Sequence, residues 1–300
     1  MADWLKAIPE PRDKLQSRIL AWTVCPLLAA ACLPLLIFMA SHQNIGPFLR
    51  LAFGLSLTFG LIVWALHAGT GPAAFCGSTI CFLVTAGTGS IQKWPTVSGV
   101  APMITLFILT FLATRAGKRR KVAAGLAEGP RGRNASQVIA NLGASGLVVI
   151  ASYFGVFDPF SKGGGLIAFS AYAGPAMLLA VFAEATADTV ASEIGQAFGG
   201  QPVMLWTNRS VAPGADGAVT ALGTAAGLTG AAIVVLIGTW SMHLRPAQAV
   251  AAFLGGGAGL FFDSLLGATV ERRGWLGNDL VNFSSTVFAA LVALAILDLR

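Results

Sequence analysis

Apolar residues in this chain fall in long unbroken runs rather than in alternation with polar ones. Nine runs of about 20 residues can be read, at roughly 19–40, 47–67, 72–90, 96–114, 136–154, 165–187, 217–240, 247–267 and 280–298. That length matches the hydrocarbon core of a bilayer crossed by an α-helix, and the runs are too long and too uniform for barrel strands. The third and fourth are the weakest, because GTGSIQKWPTVSG interrupts them with glycine, proline and Lys93. The pattern predicts an all-α, polytopic helical membrane protein of about nine transmembrane helices. Residues 1–18 read as a cytoplasmic N-terminal segment and 19–300 as a single transmembrane catalytic domain.

Composition strengthens this picture. Hydrophobic residues make up 55% of the chain and charged residues 11%, whereas a soluble domain carries about a quarter charged residues. The opening MADWLKAIPEPRDKLQSR is too long and too mixed in charge for a secretory leader, and no A-x-A signal follows it, so the first run is expected to be a retained span. Cys25, Cys32, Cys76 and Cys81 fall within spans at spacings that match no zinc or redox motif, which makes them packing residues.

Charge sets the orientation. The 114–135 connection holds Arg115, Lys118, Arg119, Arg120, Lys121, Arg131 and Arg133. Counting spans puts Lys6, Arg12, Lys14, Arg18, Arg209, Arg272 and Arg273 on the same side, leaving Arg50, Lys93, Lys162, Arg245 and Arg300 opposite. Fourteen cations against five place the N-terminus and this side in the cytoplasm of a bacterial-type inner membrane. The 114–135, 184–216 and 267–279 segments then emerge together on one face.

Their contents are chemically complementary. In LLAVFAEATADTVASEIGQAFGGQPVMLWTNRSVAPGADGAVTALGT an apolar helix runs into Glu184, Asp188 and Glu193, and Glu184, Asp188 and Ser192 share one helical stripe. Asp263, in FFDSLLGA, is a second deep carboxylate. Acids inside a span are costly and by default mark function, although acids at a helix end reaching the headgroups cost little. Carboxylates converging from separate helices can hold a divalent cation with positions left open for phosphate. Arg209 offers a forked donor for phosphate, and Pro213, Gly214, Gly217 and Gly223 permit tight turns, although a glycine-rich turn can be no more than a connection. Small residues at Gly217–Thr220 could open a helix with amides aimed at an anion. Arg133, Asn134, Gln137 and Asn141 run into a span at near-helical spacing, and polar groups there want a partner. Asn278, Asp279, Asn282 and Ser285 open the last span, where Asn278 or Asp279 could be an N-cap while Asn282 lies a turn inside. Clusters such as Lys118–Lys121 commonly set topology and touch anionic lipid. No GxxxxGK[ST] P-loop occurs, and neither does the DG-x2-AR…G-x3-D-x3-D signature of CDP-alcohol transferases.

Five blocks in order, RNASQVIAN, AEATADTVASEIG, VAPGADGAVTALGT, FDSLLGATVE and NDLVNFSST, resemble an integral-membrane family. That family includes the plant chloroplast phytyl-phosphate kinase, vertebrate transmembrane protein 19 and many uncharacterised bacterial members. The resemblance covers roughly residues 60–298. The ADT-x-AS-x-x-G block is also similar to the CTP-dependent phytol and dolichol kinases. Ala187 stands where those have glycine, Arg209 takes their cation position, and APGADGA replaces PPGTSGG, with Asp216 as an extra acid. The resemblance implies phosphoryl transfer from a nucleotide, with CTP expected, to a phytyl- or geranylgeranyl-type monophosphate, giving the diphosphate. It implies Mg²⁺ held by Asp188 and Asp263 with Glu184 in support, and Arg133 and Arg209 on phosphates. Asn141 and Asn282 would orient the acceptor, with Asn134, Ser192, Glu193, Gly214, Gly217 and Asn278 also binding substrate or nucleotide. Membrane lipid is an expected partner and nucleic acid is not. A lipid or isoprenoid transporter or flippase is the alternative, expecting acids near the midplane and repeated halves. No clear internal repeat is read.

Overall fold

The computed structural model describes residues 8–41, 46–88, 98–126, 132–153, 172–205, 207 and 209–299. Its long helices are α1 (Glu10–Ser41), α2 (Gly46–Ala65), α3 (Gly71–Thr88), α4 (Val100–Arg115), α6 (Ala135–Tyr153), α7 (Gly174–Phe198), α8 (Ala221–Met242), α9 (Pro246–Leu266) and α10 (Asn278–Asp298). A short helix, α5 (Lys118–Ala123), follows α4, and a two-stranded antiparallel hairpin, β1 (Val203–Met204) with β2 (Ala218–Val219), precedes α8. The long helices overlie the nine apolar runs, but α7 runs on to Phe198, eleven residues past the end read for the sixth run. Lys6, Lys93, Arg131, Lys162 and Arg300, and residues 165–171 of the sixth run, lie outside the described residues.

Seven of these helices are long and apolar enough to cross a membrane by length and composition. The exceptions are α4, at 16 residues, and α7, which carries three carboxylates. Outward faces carry Trp22, Ile37, Leu61, Trp64, Leu236 and Trp240, all exposed. Apolar surface of that extent suits contact with lipid rather than water. The start of the seventh run shifts: Gly217–Val219 is turn and strand, and helix starts at Ala221, because Thr220 caps it by accepting from Gly223 N at 3.0 Å. The first helix already begins at Glu10, within the segment read as 1–18.

Helix α7 is the axis of the bundle. It packs against α4, α6, α8, α9 and α10, and every residue from Gly174 to Ala187 is buried. A helix apolar on all sides belongs inside a protein, and that position lets α7 carry acids that never meet lipid. Gly256 and Gly259 of α9 make the close approach possible, since a Cβ at either would collide with Ala183 or Glu184 of α7.

Hydrogen bonds between helix ends fix which termini share a face. On one face Gln16 of α1 bonds Trp275 O and Gly277 N, Arg115 of α4 reaches Leu66 O after α2, and Gly69 pairs with Arg133 before α6. On the other, Ser241 of α8 bonds Ser98 O, and Gln248 of α9 bonds Tyr172 O ahead of α7. Chain direction therefore alternates from helix to helix, and the start of α1, the basic segment and the α7–α8 and α9–α10 connections all lie on one face.

Candidate functional site

The acids of α7 meet those of its neighbours through a serine. Ser285 of α10 has its Oγ 2.6 Å from Glu184 Oε1, 3.4 Å from Asp263 Oδ1 on α9, and 2.8 Å from the Asn282 carbonyl. Glu184 is 1% exposed, and its Oε2 has no hydrogen-bond partner. Asp188, one turn along α7, lies within electrostatic reach of both Glu184 and Asp263, and of Arg133. Asp188 and Asp263, from two helices, thus face one space, with Glu184 beneath them and Arg133 opposite Asp188.

That space is a cavity of about 300 Å³, mostly polar, at the face where α6, α8 and α10 begin and α7 and α9 end. Arg133 is held in its wall from three sides. Its amide bonds Ala68 O at 3.0 Å, its carbonyl accepts from Thr70 N at 2.9 Å, and its Nη2 donates to Thr189 Oγ1 at 3.2 Å. The residue before it must be glycine: Gly132 has φ +67°, and a Cβ there would strike the backbone of His67 and Ala68. Across the cavity, Asn282 Nδ2 donates to Asn141 Oδ1 at 3.3 Å, while Asn141 Nδ2 bonds Gln137 O at 2.9 Å. The roof is the 213–220 turn. Gly217, at φ +72°, rests directly on the π-helical turn Gly267–Glu271, where Ala268 N and Ser264 O leave no room for a side chain.

Of the residues singled out from sequence, the cavity gathers Arg133, Asn141, Asp188, Ser192, Glu193, Gly214, Gly217, Asp263, Asn278 and Asn282. Glu184 lies beneath it. Asn134 does not face it as a ligand: its Oδ1 accepts from Gln137 N and its amide donates to Gln137 Oε1, a reciprocal cap that starts α6. Arg209 is exposed on the hairpin and is not in the cavity wall. Glu193 lines the cavity, but its Oε2 is paired with Lys121 Nζ of α5, which also bonds the α4 carbonyls of Thr114 (2.7 Å) and Ala113 (3.4 Å). Gly277 rather than Asn278 or Asp279 occupies the N-cap position of α10. The amide of Gly223 is taken by Thr220, which removes one of the free amides expected at the start of α8.

Sequence reasoning missed Lys121, Thr189 and Glu271 as site residues, and weighed Asp279 as a possible N-cap. Lys121 sits in a run that reads as a topology signal, and nothing local says that one of its four cations turns inward. Glu271 flanks a turn and looks solvated until the α9–α10 connection folds over the cavity.

Among the described residues no three His, Cys, Asp or Glu side chains stand in a ready-made cation cage. The donors present nevertheless suit Mg²⁺. It is a hard ion, usually held through one or two carboxylates with phosphate and water completing its shell. Asp188 and Asp263 supply oxygens on the cavity, and the unpartnered Glu184 Oε2 lies behind them.

The chain is 31% identical over 194 residues to an uncharacterized membrane protein of Methanocaldococcus jannaschii, covering 65% of this chain and 74% of that one. It is 31% identical over 204 residues to an uncharacterized membrane protein of Synechocystis, covering 66% and 73%. It is 25% identical over 237 residues to the chloroplast protein VTE6 of Arabidopsis thaliana, covering 78% and 66%. No solved structure matches. The model of the family described as integral membrane protein DUF92 matches residues 54–290, which takes in every cavity residue above, and the chain belongs to that family.

Proposed function

We propose that this protein is an isoprenoid phosphate kinase, transferring the terminal phosphoryl group of a nucleotide, CTP by its likeness to the phytol and dolichol kinases, to a phytyl- or geranylgeranyl-type monophosphate. One observation carries this: Asp188 and Asp263, with Glu184 buried beneath them, face Arg133 and a glycine-rich roof in a single polar cavity at the ends of membrane helices. The distant relation to VTE6 and the blocks shared with the phytyl-phosphate kinase family support it. We place the cavity face in the cytoplasm, where the nucleotide is, because the order of apolar runs assigns fourteen of the nineteen cations to that side.

The chemistry asks little covalent work of the protein. An oxygen of the acceptor phosphate forms a bond to the donor's terminal phosphorus as the bond to the bridging oxygen breaks, and a nucleoside diphosphate leaves. The acceptor is already an anion, so positioning and charge neutralisation suffice and no strong general base is needed. Arg133, fixed by the α2–α3 connection and Thr189, binds phosphate. Asn141 and Asn282, locked to each other, orient the acceptor. Mg²⁺ held by Asp188 and Asp263, with Glu184 in support, would neutralise charge on the transferring group.

The test is conversion of geranylgeranyl monophosphate to the diphosphate by purified protein with CTP and Mg²⁺. Asp188→Asn and Asp263→Asn are each expected to lower the rate by at least about a hundredfold while the protein still inserts into membranes. Full activity in both variants overturns the assignment.

A further inference from the structure

A second cavity, of about 270 Å³, lies between α2, α3, α4 and α6, and it differs in character from the first. Its walls are apolar and aromatic: Phe59 of α2, Gly77 of α3, Met103 and Phe107 of α4, and Leu142 of α6. Phe59 and Phe107 meet edge to face with centroids 5.5 Å apart, and Phe107 stacks on Phe111 at 5.6 Å. Along α4 the lining runs from Thr114 to Met103, which at a helical rise of about 1.5 Å per residue is a slot roughly 16 Å deep.

All of its charge is at one end. Arg115, Lys118, Lys121 and Arg133 line the mouth. The Arg115 guanidinium is anchored over the Phe111 ring at 3.8 Å, with Nη2 on Leu66 O at 3.3 Å. Lys121 is committed to Glu193, and that pair forms the partition between the two cavities, Lys121 lining one and Glu193 the other. Arg133 lines both.

From this juxtaposition we infer that the α2–α3–α4–α6 slot is the hydrocarbon site of the acceptor: a single-chain isoprenoid monophosphate lies with its tail along α4 and its phosphate at Arg133 and Arg115. The inference rests on the kinase reading for the identity of the ligand. It adds where the tail goes and therefore what measures its length. An apolar slot with cations confined to its mouth complements an amphiphile with one anionic end, and Arg133 presents that end to the carboxylate cavity. A two-chain phospholipid has the same charge but twice the hydrocarbon.

Gly77 provides the test. A Cβ there meets only Phe59, at an ordinary contact distance of 3.6 Å, so a larger side chain enters the slot without straining α3. Binding is measured without nucleotide, by competition against a fluorescent geranylgeranyl monophosphate on detergent-solubilised protein. Gly77→Leu is expected to weaken geranylgeranyl monophosphate about thirtyfold, as the burial of about two to three methylenes is forgone, and to leave isopentenyl monophosphate unchanged. Equal affinities in variant and wild type overturn the inference, as does stronger competition by dioleoyl phosphatidic acid than by the prenyl phosphate. A diazirine at the tail terminus gives a second readout on the unaltered protein. Labelling of the Met103–Phe107 stretch supports the slot, and labelling confined to α7–α10 overturns it. Tail-dependent binding with no phosphoryl transfer would leave the slot standing and remove the kinase.

Discussion

The buried pair between Lys121 and Glu193 yields the sharpest stability prediction. Lys121 is 1% exposed, at the end of a run of four cations, and its ammonium satisfies Glu193 together with two carbonyls at the end of α4. Taking one partner away leaves an uncompensated buried charge, which typically costs about 3–5 kcal/mol. Lys121→Met strands the Glu193 carboxylate and also leaves the Ala113 and Thr114 carbonyls without their donor, so it should fall at the upper end, about 5 kcal/mol. The double variant Lys121→Met/Glu193→Leu removes both charges and replaces them with apolar volume, and such exchanges are often neutral, so it should recover most of that loss, roughly 3 kcal/mol. The assay is thermal unfolding in detergent, followed by the fraction remaining monodisperse on size-exclusion chromatography, for wild type, both single variants and the double. A Lys121→Met protein as stable as wild type would refute the reasoning, and so would a double variant weaker than either single one.

Other expectations follow from the same contacts. Ser285→Ala removes the hydroxyl between Glu184 and Asp263 and should cost about 1–3 kcal/mol of stability, read by the same unfolding assay, because Glu184 loses its one hydrogen bond. Gly217→Val forces a side chain against the Ala268 and Ser264 backbone at a positive φ. It should destabilise the 213–220 roof by at least about 2 kcal/mol, seen as faster proteolysis within that turn. Arg133→Ala should raise KM for the prenyl phosphate about a hundredfold in a steady-state assay, the loss of charge-assisted hydrogen bonds. Arg209→Ala, on the exposed hairpin, should change KM less than about threefold, as surface substitutions do.

Much of the scaffold was legible because the bilayer imposes a length on every span. Each apolar run corresponds to a helix, and the stripe of Glu184, Asp188 and Ser192 holds because α7 continues unbroken to Phe198. The shared face of the three polar connections follows from alternation alone. What the sequence hid depends on contacts between distant segments. Asn141 and Asn134 look equivalent in RNASQVIAN, yet Asn134 folds back to cap its own helix while Asn141 reaches α10. Arg209 occupies the position of a phosphate cation by likeness of blocks, but it is exposed between the two strands and does not line the cavity. Lys121 reads as one more topology charge, and only the αL turn at Gly117 swings α5 back onto α7. The cysteines behave as packing groups: Cys25 and Cys76 bring α1 and α3 together as free thiols with sulfurs 3.1 Å apart.

The central claim is that the carboxylate cavity moves a phosphoryl group onto a prenyl phosphate. The most direct measurement is a single-turnover reaction of purified protein with Mg²⁺, geranylgeranyl monophosphate and, in separate tubes, CTP, ATP, GTP or UTP labelled in the terminal phosphate. Label is expected in geranylgeranyl diphosphate, with CTP the best donor, and its loss is expected in Asp188→Asn. Label in no product with any donor, from protein that still binds the prenyl phosphate, would contradict the account and turn attention to transport of that lipid.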